Sequence, residues 1–97
     1  VNGNVTLEIA VKKFRASLNV RKKEVVPVLW AQTANNLGAA CFSLAKRNSE
    51  LALLREASSC FEGAIEIYAS TGAGKKADMI ANNLSRVQRL LSSRENA

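Results

Sequence analysis

The sequence predicts an all-α domain of four helices stacked as antiparallel pairs, and three observations carry that prediction. Apolar residues recur at the spacing of one helix face along nearly the whole chain. No stretch alternates apolar and polar residues as a half-buried strand would. The tetrapeptide Ala-Asn-Asn-Leu occurs twice, from Ala34 and from Ala81, and its copies belong to a longer internal repeat.

The first helix is expected over residues 6–24. Leu7, Ala10, Phe14 and Leu18 form its stripe, and Lys12, Lys13 and Arg15 turn away from it. Arg21, Lys22 and Lys23 follow at the end, where positive charge complements the helix dipole. Pro27, the only proline, breaks this helix and suits the first turn of the second. Trp30, Ala34, Leu37, Cys41 and Leu44 make the second stripe. Asn48 or Ser49 is placed to cap a third helix, whose stripe is Leu51, Leu54, Ser58, Phe61, Ile65 and Tyr68. Gly72 suits its C-terminal turn. The fourth helix, over residues 75–93, carries Ala77, Ile80, Leu84, Val87 and Leu91 and is expected to fray from Ser92 onward.

Shifting the chain against itself by 47 residues aligns the two tetrapeptides and, without a gap, the helix upstream of each. Leu7 meets Leu54, Ala10 meets Ala57, Phe14 meets Phe61, Leu18 meets Ile65 and Val20 meets Ile67. A repeat unit of this length built from helices implies stacked pairs, each covering its neighbour's apolar face.

The residues also carry a family resemblance. Ala34, Leu37-Gly38 and Cys41 are spaced as in the first helix of the tetratricopeptide repeat, and Ala57, Phe61 and Ala64 as in its second. The chain resembles that superfamily, in an elongated variant found in bacterial proteins. Ala34 stands where Trp is typical, Cys41 where Tyr is, and Ser85 where a second Gly is expected. The period is also longer than the usual value of about 34 residues. The resemblance implies a right-handed α–α superhelix over residues 1–97. Residues 6–24 would be the second helix of a preceding repeat, 28–70 one full repeat, and 75–93 the first helix of the next.

Composition narrows the function by exclusion. The chain has no histidine, so His-dependent metal sites and Ser-His or Cys-His catalysis are ruled out. Cys41 and Cys60 fall on apolar stripes and read as packed, reduced thiols, which suggests a reducing compartment. No metal, cofactor or enzymatic activity is expected. No apolar run approaches the roughly 20 residues of a membrane span, and nothing reads as a signal peptide, so a cytoplasmic location is expected. The chain opens at Val1 without methionine, as a piece trimmed from something longer would.

Three motifs are decoys. Ser70 to Lys76 resembles a phosphate loop, but Ala69 stands where its first Gly belongs, Lys76 where Ser or Thr belongs, and a helix precedes it. The triplets at Asn4 and Asn83 fit glycosylation acceptors, but the second lies inside a helix. Glu62 and Glu66 form an i, i+4 carboxylate pair that, without a histidine or metal partner, reads as a solvated face.

The net charge of +6 is gathered at the two ends of the chain, as expected for an acidic partner or for solvated helix faces. With Leu37 as core, Gln32, Asn36, Ala39 and Ser43 form a stripe to one side, and their repeat equivalents are Met79, Asn83, Arg86 and Leu90. First helices line the concave groove in the tetratricopeptide family, so the resemblance makes Gln32, Asn36, Ser43, Met79, Asn83 and Arg86 the candidate partner-binding residues. It also gives Asn36 and Asn83 the position of an asparagine that bonds ligand backbone. Asn35 and Asn82, with Ala31 and Phe42, lie on the opposite flank and are expected to meet a neighbouring helix.

The leading expectation is a non-catalytic scaffold that binds a peptide or helix of another protein. A basic nucleic-acid-associated domain is the alternative, weakened because only Trp30 and Tyr68 suit base stacking and both fall on core stripes. A purely self-assembling module is the third. Self-association is expected because Leu7, Ile9, Phe14 and Leu18 on the first helix, and Val87, Leu90 and Leu91 on the last, offer more apolar surface than one inner contact consumes.

Overall fold

Pro27 sets the first boundary. Its ring forbids the helical conformation to Val26, which sits at φ −130°. The computed structural model describes residues 3–96. It consists of α1 (Gly3–Val20), α2 (Pro27–Asn48), α3 (Leu51–Ser70) and α4 (Gly74–Glu95), with no strand among the described residues. Helix α1 therefore stops at Val20, short of the expected residue 24. Arg21, Lys22 and Lys23 lie in the connection, where Val25 and Val26 N–H groups donate to the Lys22 carbonyl. A helix running on to Glu24 would leave too little chain to reach the start imposed by Pro27.

The other ends follow from local hydrogen bonding. Ser49 closes α2 in the left-handed region at φ 62°, and Asn48 Oδ1 accepts from the Glu50 N–H at 3.2 Å. Glu50, not Asn48 or Ser49, holds the N-cap position of α3, and it makes no side-chain cap bond. Gly72 turns the chain after α3 at φ 83°, letting the Ala73 N–H reach back to the Tyr68 carbonyl at 2.8 Å. That bond satisfies a carbonyl which the helix end would otherwise orphan. Helix α4 does not fray at Ser92. It continues to Glu95, because Arg94 donates to the Ala45 carbonyl at 2.7 Å and Glu95 pairs with Arg55 at 2.8 Å.

Helices adjacent in sequence are adjacent in space: α1 packs on α2, α2 on α3 and α3 on α4. The two-residue connection between α2 and α3 forces an antiparallel pair. Gly38 and Phe61 meet at its centre, where a Cβ on Gly38 would lie 2.7 Å from the Phe61 ring. Phe61, Leu37, Leu54, Cys41 and Val87 are the largest fully buried side chains.

Burial falls off outward from this pair. Among the described residues of α1 only Val11 is fully buried, while Leu7, Phe14 and Leu18 are half-buried against the core. On α4 Val87 is buried and Leu90 and Leu91 are half-buried against the core. Of the apolar residues expected in surplus on the last helix, Val87 is consumed by the core, while Leu90 and Leu91 keep part of their surface open. What stays exposed lies mostly at the other end, on Val5, Ile9, Val20, Val25, Val28 and Leu29.

Candidate partner-binding groove

The seam between α2 and α4 holds four of the six candidate residues, Gln32, Asn36, Met79 and Arg86. Both helices lie against α3, so their flanks face each other across it. Gln32 and Asn36 from α2 and the exposed Met79 from α4 line one cleft of about 410 Å³, together with Asn35, Tyr68 and Lys76. Arg86 lines a second cleft of about 520 Å³ with Phe42, Lys46, Arg89 and Leu90. Ser43 and Asn83 are half-buried and line neither cleft.

The charges on this seam have one sign. Lys76 and Lys46, Arg86 and Arg89 line the two clefts, and no carboxylate does. Two of these cations rest on aromatic faces, Lys76 at 5.4 Å from the Tyr68 ring centre and Lys46 at 4.7 Å from that of Phe42. Such placement holds an ammonium group beside an apolar surface. Burial pushes the Tyr68 phenol above its ordinary pKa. Oδ1 of Asn35 is buried and accepts no hydrogen bond, so one amide lining the first cleft has an unused acceptor.

Asn35 lines the first cleft and Phe42 the second, each with residues of α4 across from it. Lys76 sits within the decoy phosphate loop, and Tyr68 on the core stripe of α3. Of the further lining residues, Leu90 stood on the candidate stripe and Asn35 and Phe42 on the opposite flank, while Lys46 and Arg89 carried no such signal.

A second group of titratable side chains lies between α1, α2 and α3. Arg15 makes a two-pronged contact to Glu56 at 2.9 and 2.7 Å. Its hydrogen bonds, foremost, hold the Glu56 carboxyl below the usual carboxylate value. Cys41 and Cys60 are both free and buried. Burial, aided by the Glu56 charge, pushes Cys41 up to about 12 and Cys60 up to about 11. Both are protonated at neutral pH and poor nucleophiles.

Trp30 packs over Gly63 and carries Lys23 at 5.0 Å from its ring centre. Tyr68 is buried beneath Lys76. Among the described residues no group of three or more His, Cys, Asp or Glu side chains is arranged to hold a metal ion. None of the described helices is long and apolar enough to cross a membrane. Comparison with protein-family models, with characterised proteins and with solved structures gives no match, so the functional reading rests on the repeat in the sequence and on the geometry of the groove.

Proposed function

We propose that the protein is a non-catalytic protein–protein interaction module of tetratricopeptide-like architecture. In this reading α2 and α3 form one repeat, α1 is the second helix of a preceding unit and α4 the first of the next, all wound as a right-handed superhelix. The α2–α4 seam receives an extended acidic segment of a partner. The observation that carries the reading is the seam itself, two clefts in line with cations on their rims and no carboxylate. An acidic chain is drawn to such a surface, and the aromatic and methionine side chains accept its apolar residues. The exposed Asn36 amide suits a peptide backbone. Against nucleic acid stands the cover on both candidate stacking rings, Trp30 and Tyr68.

The test is calorimetric titration with a synthetic acidic peptide that contains one leucine and enough proline to prevent helix formation. Asn36→Ala and Arg86→Glu should each weaken binding several-fold with helix content unchanged. Unaltered affinity in both variants, or amide shifts confined to α1, would overturn the placement.

A further inference from the structure

The outward face of α1 is a second surface, and its composition is unusual for a solvated helix. Val5, Ile9, Ala16 and Val20 share one face at helical spacing, and all four are exposed. Val20 is 81% exposed. The stripe runs about 22 Å at 1.5 Å per residue. Lys12 and Lys13 stand at its middle, one on each side, and neither makes an ion pair among the described residues. Beyond Val20 the stripe continues into a hollow of about 450 Å³ lined by Val20, Arg21, Lys22, Val25 and Val26.

From this we propose that the outer face of α1 docks an acidic amphipathic helix supplied by a partner protein. The small side chain of Ala16 leaves room for close approach. A helix with small apolar residues facing Val5, Ile9 and Val20, and Glu or Asp at its centre, meets each lysine with a carboxylate.

A second copy of the chain fits badly for a reason visible in the spacing. The stripe is symmetric about its centre, so an antiparallel pair would set Val5 on Val20 and Ile9 on Ala16. The same register brings Lys12 and Lys13 of both copies together, four like charges at the centre, while Glu8 of one copy falls opposite Ser17 of the other and Glu50 lies in the α1–α2 cleft beside Lys12. A lipid surface fits badly too, since Val5, Ile9, Ala16 and Val20 include no Trp, Phe or Leu to sink into the interface.

The probe is a synthetic peptide of about 18 residues, long enough to span the stripe, with Ala and Leu on one face flanked by Glu. Its comparator carries Lys in place of every Glu. Amide shifts should fall on Ile9, Ala16 and Val20 and leave Asn36 and Met79 unmoved. The double variant Lys12→Glu, Lys13→Glu should lose roughly tenfold or more in affinity for the acidic peptide and gain affinity for the basic one. Unchanged helix content of the double variant by circular dichroism separates this swap from loss of structure, and amide shifts on the same α1 residues separate it from the change in net charge. Equal binding of the acidic peptide by parent and variant would overturn the proposal, as would shifts confined to α2 and α4. Two further outcomes would also overturn it: a concentration-dependent dimer of the chain alone that Ile9→Asp abolishes, or anionic phosphatidylserine vesicles shifting the same amides when the peptide does not.

Discussion

Phe61 is 1% exposed, and its ring lies where a Cβ on Gly38 would stand. Phe61→Ala should cost about 3–5 kcal/mol, a large part of the stability of a small domain. Gly38→Ala should cost about 1–3 kcal/mol despite the better helix propensity of alanine, because a ring packed in the core cannot yield. Gly63→Ala is the control. Its Cβ would come within 2.7 Å of the Trp30 ring, but that is the far end of a half-buried side chain, which can swing outward. Thermal melts should rank Gly63→Ala well above Gly38→Ala, and equal melts would remove the packing argument. Glu56 gives the pH dependence. Its carboxyl is held below the ordinary 4.5, chiefly by hydrogen bonds from Arg15. A group whose pKa is lowered by folding stabilises above its unfolded value and loses that contribution as pH falls through its folded one. The melting temperature of the parent should therefore decline below about pH 4.5. Glu56→Gln should show a shallower decline over the same range.

Between α3 and α4, Gly72 at φ 83° allows the Ala73 N–H to close on Tyr68. Nothing lies near the space a side chain would take there, so Gly72→Ala should cost only the backbone strain, about 1 kcal/mol by chemical denaturation. Elements of this kind were legible where one residue type has one physical use. Gly72 and Pro27 marked their turns, and the stripes marked α2 and α3, whose buried faces are broad, and α4, whose buried face is narrower. The end of α1 was not legible, because Pro27 governs the residue before it while charge and apolar spacing both run on past Val20. The last turn of α4 was hidden for another reason: Arg94 and Glu95 are held by Ala45 and Arg55, partners some 40–50 positions away in sequence. The groove was legible in part. Angles around one helix brought Gln32, Asn36 and Met79 to a common cleft. They carry no information about the stagger between α2 and α4, which sends Arg86 to a second cleft and leaves Ser43 and Asn83 beside the seam.

Across the whole molecule the net charge of +6 sets how binding responds to salt. Affinity for acidic peptides at either surface should fall steadily as ionic strength rises, and a salt-independent affinity would mean that apolar contact alone drives capture. The outward decline in burial has a consequence of its own. Each helix rests chiefly on its sequence neighbours, and α1 contributes, among its described residues, only Val11 to the fully buried core, so α1 can detach while α2 and α3 stay closed. Amide protons of α1 should therefore exchange with solvent soonest and those around Leu37 and Phe61 last, the order set by local opening. The basic groove then lies on the slow-exchanging part of the chain and the α1 stripe on its most readily released part. A partner that seats on α1 also clamps it, and should slow its exchange far more than that of any other helix.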